Sequence, residues 1–309
     1  MKSIPLFIAG DWGTSNLRLF LVDESGAALE ERTGPGAAEV GGAFAAELAA
    51  LSAEWVSRHG ALPATLCGMV GSNLGWMQTK ALPCPVDIGQ IAANLSMPAP
   101  TVRIVPGLSC RNRYGASDYM RGEETQIFGA LKLKPGESRL RRLLCLPGTH
   151  TKWVVVEAGV VSEFVSAPTG ELYRILHDHS VLVRELHPTP LDISAFEQGL
   201  AAFNAHPHAQ LLHRLFETRG RQLGGELAPA QAAGFLSGLL IASDVAGGLK
   251  LGEAAGIDAP IVIIGTASLR TLYGRALAAH GRKVEELDGA LAALAGLHAV
   301  QQRWSLEKF

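Results

Sequence analysis

The opening of the chain alternates short apolar blocks with small polar turns. Leu6-Phe-Ile-Ala-Gly-Asp-Trp-Gly-Thr-Ser-Asn-Leu-Arg-Leu-Phe-Leu-Val22 reads as strand, turn and strand, and Ala28–Thr33 adds a third strand. The same grammar returns at Leu143-Leu-Cys-Leu-Pro-Gly-Thr-His-Thr-Lys-Trp-Val-Val-Val156, followed by Val160–Ser166. Helical spacing comes next in each half. Phe44, Leu48, Leu51 and Trp55 share one helix face, and helices are predicted over 123–133, 171–182, 195–204, 230–247, 269–280 and 290–303. Short apolar runs at Ala64–Val70, Val102–Val105 and Ile261–Ile264 read as buried parallel strands, and Lys283–Leu287 as a last strand.

The pattern is therefore β-β-β-α-β-α-β-α, twice, with the divide near Pro135–Arg142. It predicts a duplicated α/β domain with an interdomain cleft, one copy over 1–135 and the other over 136–309. Composition agrees with a well-packed protein. The chain has 309 residues, 48% of them hydrophobic. Lys and Arg number 27 against 29 Asp and Glu, a net charge of −2, which argues against a broad nucleic-acid surface. No apolar run is expected to reach the roughly 18–20 residues that cross a bilayer. The stretch Pro5–Gly10 is too short for a signal-peptide core. Cys67, Cys84, Cys110 and Cys145 form no CxxC pair, so the expectation is a soluble protein of a reducing, cytoplasmic compartment.

Two turns carry candidate chemistry. In Asp11-Trp-Gly-Thr-Ser-Asn16, Gly13 lets backbone approach an anion, and Thr14, Ser15 and Asn16 add small donors. Asp11 ends a buried strand and is placed to hold Mg²⁺ through water. An ordinary hairpin whose Asp11 and Asn16 satisfy turn amides is the alternative. The second turn, Pro147-Gly-Thr-His-Thr-Lys152, offers Gly148, Thr149, Thr151 and the cation of Lys152, which as an isolated residue would read as a solvated edge-strand lysine. Neither a Walker A loop nor a G-x-G-x-x-G fingerprint occurs.

These residues resemble the phosphate motifs of the actin/Hsp70/sugar-kinase superfamily: Asp11-x-Gly-Thr-Ser-x-x-Arg18 the first, and Leu146-Pro-Gly-Thr-His-Thr-Lys the second. Ile261-Val-Ile-Ile-Gly-Thr-Ala-Ser268 is similar to its adenosine motif, with Gly265, Thr266 and Ser268 at the turn. The chain further resembles the 2-dehydro-3-deoxygalactonokinase family. The residues that carry this span the chain: Cys67-Gly-Met-Val-Gly-Ser-Asn-Leu-Gly-Trp76, Met120-Arg-Gly-Glu-Glu-Thr-Gln126, Pro147–Trp153, Thr169-Gly-Glu-Leu172 and Phe235–Ile241. The resemblance implies ribonuclease H-like (actin-like ATPase) domains and ATP with Mg²⁺ as cofactors. It also implies phosphorylation of 2-dehydro-3-deoxy-D-galactonate on its 6-hydroxyl, in bacterial galactonate breakdown.

Phosphoryl transfer to an alcohol needs an in-line acceptor, charge neutralisation and usually a carboxylate for the hydroxyl proton. Superfamily kinases commonly set that acid at a helix start, which here is Gly122-Glu123. Glu123 is the first candidate base and Glu124 the second, although acids in a first helical turn also serve the helix dipole. Arg18 belongs to the phosphate motif and is a candidate for the transferring phosphate. Gly71, Ser72, Asn73 and Trp76 are candidates for sugar recognition, the alternative being a structural turn with Trp76 in the core. The substrate carboxylate calls for an arginine, and Arg18, Arg111, Arg113, Arg121 and Arg174 are candidates, Arg121 lying beside the proposed base. Glu171 is a further substrate candidate, or simply a helix-start acid. The histidines show no metal-ligand spacing.

A small-molecule kinase is the leading reading. The helix over 230–247, with Gly234, Ser237 and Gly238, is expected to pack closely beneath the nucleotide. The alternatives are a nucleotide-gated interaction protein on the same fold, and a kinase for the epimeric 2-keto-3-deoxygluconate. A transcription factor fits less well, because no helix-turn-helix precedes residue 6. Exposed apolar helix faces leave room for a homodimer seam.

Overall fold

Unbroken apolar blocks make the first strands. β1 (Pro5–Trp12) and β2 (Asn16–Asp23) pair antiparallel, and β3 (Ala28–Pro35) extends the meander. The computed structural model describes residues 5–134, 140–183, 190–206 and 208–306. Of the expected divide at Pro135–Arg142, residues 135–139 lie outside the described residues. The apolar residues of α1 (Phe44–His59) behave as their spacing predicts. Phe44, Leu48 and Trp55 enter a core with Ile8, Leu17, Leu19 and Leu66, and Leu51 packs against it.

β4 (Ala64–Gly68) runs parallel to β1, and a 3₁₀ turn at Met69–Gly71 ends what the sequence reads as one strand to Val70. Next come β5 (Leu82–Pro83), α2 (Ile88–Ala93), β6 (Ser96–Ala99) and β7 (Val102–Ile104). β8 (Leu108–Arg111), β9 (Ser117–Met120) and α3 (Glu123–Leu133) follow. The first sheet has the order β3-β2-β1-β4-β7-β6, and β5-β8-β9 form a small separate sheet. That small sheet is absent from the sequence pattern because strands of two to four residues leave no period to detect.

The second half supplies β10 (Arg142–Leu146), β11 (Thr151–Glu157), β12 (Val160–Ala167) and α4 (Thr169–His179). Three helices come next: α5 (Ile193–Ala205), α6 (Leu211–Leu215) and α7 (Glu217–Leu223). α8 (Ala232–Ala254), β13 (Ile261–Gly265), α9 (Ala267–Ala279), β14 (Val284–Asp288) and α10 (Gly289–Leu306) complete the chain. Its sheet has the order β12-β11-β10-β13-β14. Read outward from the meander, this repeats the order of β3-β2-β1-β4-β7, so the expected duplication is present in the strand order itself.

Two expectations need correction. The segment 229–254 is in fact long and apolar enough to cross a membrane by length and composition, with a mean hydropathy of 1.5. Most of that apolar window, 78%, is buried inside the protein, as expected for a core helix. Its small residues serve α5: a Cβ on Gly234 would meet the Asp192 carbonyl oxygen at 2.4 Å, and one on Gly238 the Phe196 oxygen at 2.2 Å. They admit a neighbouring helix, where the sequence suggested a nucleotide.

The other correction concerns the domain boundary. One compact unit comprises Met1–Arg142, Val154–Phe164 and Leu287–Phe309, the other Leu143–Trp153 and Val165–Glu286. The last helix thus belongs with the N-terminal residues, outside a simple 136–309 domain. Close backbone approach explains it: a Cβ on Gly296 would lie 1.9 Å from the Thr125 carbonyl oxygen, and one on Gly129 1.8 Å from that of Ala292. Polar contacts fix the register. Thr65 donates to Gln301 at 2.9 Å, and the Arg103 guanidinium lies 3.5 Å from the centre of the Trp304 ring.

Candidate active site

In the first unit β1 and β4 run parallel with Asp11 opposite Cys67 and Trp12 opposite Gly68, so the two strands end together. Arg18 faces Asp11 across the β1–β2 hairpin, and Cys67 Sγ lies 3.9 Å from Asp11 Oδ1. Burial pushes the Asp11 carboxyl above its ordinary range, and the charge of Arg18 pulls it back. The turn closes through Gly13 N donating to Asn16 O at 2.9 Å. Its carbonyls are taken by Ala37 and Ala38, which donate to Gly13 O and Thr14 O. Thr14, Ser15 and Asn16 remain exposed.

The start of α3 closes on those strand ends. Gly68 has φ 90° and Gly122 φ 103°, a region that favours glycine. A Cβ on Gly68 would lie 2.6 Å from the Trp12 carbonyl oxygen, and one on Gly122 3.3 Å from Gly68 Cα. Glu123 is half-buried, and its Oε2 accepts from Arg121 N at 3.0 Å. Glu124 is fully buried. Its Oε2 accepts from Gly122 N at 2.7 Å and its Oε1 from Thr125 Oγ1 at 3.2 Å. Burial, reinforced by the charge of Glu123, pushes Glu124 up to about 8.

The substrate candidates divide. Arg121 donates one Nη to the Thr79 hydroxyl and the other to the Thr79 carbonyl at 3.1 Å, while Thr79 N donates to Gly71 O at 2.9 Å. The guanidinium therefore fastens the loop 71–79 as well as being a candidate for an anion. Ser72 is buried and its hydroxyl accepts from Leu74 N at 3.1 Å; Asn73 is exposed. Trp76 is half-buried and packs against the core of this unit. Arg111 and Arg113 lie at the exposed end of the β8–β9 hairpin.

The second unit has the matching arrangement. β10 and β13 run parallel with Cys145 opposite Ile263, so the 147–152 turn and the Gly265 turn leave the same end of the sheet. A Cβ on Gly265 would lie 3.4 Å from Pro147 Cγ. Helix α4 docks on the first of these turns. Gly170 has no room for a Cβ, which would stand 2.3 Å from Gly148 O, and Glu171 N donates to Thr149 O at 2.9 Å. His150 Nε2 lies 2.7 Å from Glu171 Oε2, and Arg174 donates to Thr149 Oγ1 at 3.3 Å. Glu171 thus sits beside the 147–152 turn.

Thr149 is exposed and Gly148 half-buried, as a ligand-facing turn requires. Thr151 is different: it is fully buried, with its hydroxyl 2.8 Å from Tyr273 Oη, so its side chain faces the core and not a ligand. Lys152 is likewise buried and donates Nζ to Ser166 Oγ at 2.6 Å. At the other turn Arg270 donates to Gly265 O at 2.6 Å, and exposed Thr266 and Ser268 bring their hydroxyls within 3.3 Å. The starts of α4 and α9 at these turns suit the binding of anionic groups. What the sequence reading missed is Asp244, buried beneath the 147–152 turn; the available signal was an acid in the middle of a mostly apolar helix.

A model of the family described as 2-keto-3-deoxy-galactonokinase matches residues 11–300. The 2-dehydro-3-deoxygalactonokinase of Escherichia coli (strain K12) is 33% identical over 295 residues, covering 95% of this chain and 97% of that relative. A crystal structure of a Sinorhizobium meliloti protein, provisionally assigned as a 2-dehydro-3-deoxygalactonokinase, superposes with a TM-score of 0.86 at 34% identity. It covers 96% of this chain and 98% of that one. The activator of the 2-hydroxyisocaproyl-CoA dehydratase from Clostridium difficile, solved with bound ADPNP, shares the fold alone. Its TM-score is 0.54 at 12% identity, over 98% of this chain and 97% of that one.

Proposed function

The chain belongs to the 2-keto-3-deoxy-galactonokinase family, and from that premise we propose that it transfers the γ-phosphoryl group of ATP to the 6-hydroxyl of 2-dehydro-3-deoxy-D-galactonate. The hydroxyl oxygen attacks the γ-phosphorus, the bond from that phosphorus to the β–γ bridging oxygen breaks, and ADP and the 6-phosphate leave. Glu123 accepts the hydroxyl proton. The observation that carries this role is its setting: a half-buried carboxylate, held by Arg121 N at the start of α3 and beside the Gly68–Gly122 contact. Glu124 cannot compete, being wholly buried and committed to Gly122 and Thr125.

Arg18 neutralises charge on the transferring phosphate, opposite Asp11. Gly13, Thr14, Ser15 and Asn16 on one turn, and Gly148, Thr149 and Lys152 on the other, bind phosphate oxygens. Gly265, Thr266 and Ser268 face the adenosine. Gly71, Ser72 and Asn73 read the sugar acid, with Arg121 beside them for its carboxylate. The donor set at the end of β1 is a single carboxylate, Asp11, which fits a Mg²⁺ that keeps several waters and takes phosphate oxygens. When bound, that ion neutralises charge on the triphosphate. Use of ATP and a sugar acid accords with a cytoplasmic setting.

Coupled ADP release with Mg·ATP and a panel of sugar acids tests the reading. Turnover on the galactonate-derived acid, lost in Glu123→Gln, is expected. Preference for the gluconate epimer would overturn the substrate, and turnover that survives the mutation would overturn the base. ATP binding with no acid-dependent turnover would favour a nucleotide-gated interaction protein.

A further inference from the structure

One buried carboxylate has no part in the reaction just described. Asp244, on α8, is 8% exposed in a helix whose other inward residues are apolar or small. Its Oδ1 accepts from Trp153 Nε1 at 2.7 Å, and its Oδ2 accepts from Thr169 Oγ1 at 2.6 Å and from Tyr273 Oη at 2.5 Å. Tyr273 Oη in turn lies 2.8 Å from Thr151 Oγ1. The indole of Trp153 lies over Gly248, one turn further along α8, where an added Cβ would overlap it at 2.1 Å.

The donors come from three elements, and each of these begins at, or rests against, a candidate nucleotide-binding turn. β11 starts at Thr151, directly after His150. α4 starts at Thr169, beside the Gly170 that rests on Gly148 O. α9 leaves the turn formed by Gly265 and Thr266. A carboxylate satisfied by three donors fixes direction as well as distance, which apolar packing does not. Burying it is costly, and a well-packed apolar group would hold the same helices together at least as well. The acid is therefore not explained by stability.

We propose that Asp244 is a positioning residue for ATP, holding the 147–152 turn and the starts of α4 and α9 in the geometry that receives the nucleotide. This rests on the reading that those turns bind ATP. Asp244 touches no substrate and acts through Trp153, Thr169 and Tyr273.

The test uses the full chain and two variants that each remove one hydroxyl at nearly constant volume, Tyr273→Phe and Thr169→Val. Phe203→Leu, in the buried face of α5, serves as a control that loosens the same unit away from the turns. Steady-state KM for ATP and for the sugar acid, the Kd of ATP by calorimetry, and Tm are measured for each. Both hydroxyl variants are expected to raise KM and Kd for ATP about five- to tenfold with the sugar-acid KM within about twofold of wild type. Phe203→Leu lowers Tm comparably and leaves ATP affinity unchanged. Asp244→Asn takes the place of either hydroxyl variant that does not fold.

Unchanged ATP affinity in the variants, or a rise that Phe203→Leu shares in proportion to its loss of Tm, overturns the positioning role. A wild type that binds ATP but phosphorylates no sugar acid overturns the substrate assignment instead, and the calorimetric Kd still decides the role of Asp244. A wild type that binds no ATP overturns both.

Discussion

Gly122 rests on Gly68: a Cβ added to Gly122 would stand 3.3 Å from the Gly68 Cα, and both residues have positive φ. The contact lets the first turn of α3, with Glu123, begin against the ends of β1 and β4. Gly122→Ala must strain the backbone and push that turn away, at a cost of about 1–3 kcal/mol. A lower urea midpoint together with a lower kcat is the expected result. Gly220→Ala, in α7 with open space around it, should be neutral or slightly stabilising. Equal loss in the two variants would remove the argument from Gly122.

The two glutamates should separate kinetically. Glu123→Gln should lower kcat by about 10²–10⁴-fold with KM for ATP little changed, the scale of a lost general base. Glu124→Gln should keep most of kcat, since Gln at 124 still accepts from Gly122 N. Stopped-flow measurement of the phosphoryl-transfer step distinguishes them.

Glu124 also makes stability depend on pH. An ordinary Glu titrates near 4.5, and this one is held up at about 8. Between those values the folded chain keeps a proton that the unfolded chain has released, so stability falls as pH rises through the window and levels off above it. Glu124→Gln removes that slope and should stabilise the protein at pH 8 by on the order of 2–5 kcal/mol. Asp11 and Asp244 are raised as well and add slopes of the same sign, so the quantity to measure is the difference in denaturation midpoint between wild type and variant at each pH. A difference that does not grow from pH 5 to pH 8 would show that Glu124 titrates normally.

Gly170→Ala probes how α4 is docked. Its Cβ has only 2.3 Å to Gly148 O, so either the helix or the turn must move. The expected outcome is a KM for ATP raised about tenfold, with KM for the sugar acid unaffected. Parallel titrations of the two substrates check it.

A last prediction concerns the final helix. The fragment 1–142 lacks α10, which supplies Gly296, Gln301 and Trp304 to the first unit. Alone it should lack cooperative unfolding by circular dichroism, and joining 287–306 to it through a flexible linker should restore the transition.

The sequence by itself determined the duplication, both candidate phosphate turns and the helix-start acids. Each rests on local chemistry: apolar blocks make strands, glycine with small hydroxyl residues makes a turn, and 3.6-residue spacing makes a helix face. The same locality sets the limit. That Glu123 is half-exposed while its neighbour Glu124 is buried and proton-retaining depends on Gly68, 54 residues or more away, and on the parallel pairing of β1 with β4. That Thr151 turns inward and that Trp76 is half-covered depends on Tyr273 and on a core drawn from distant segments. Burial, and with it pKa and access to a ligand, is a property of what packs around a residue. Only the tertiary structure supplies those neighbours, and for that reason it alone decided that α10 returns to the first unit and that Asp244 lies beneath the 147–152 turn.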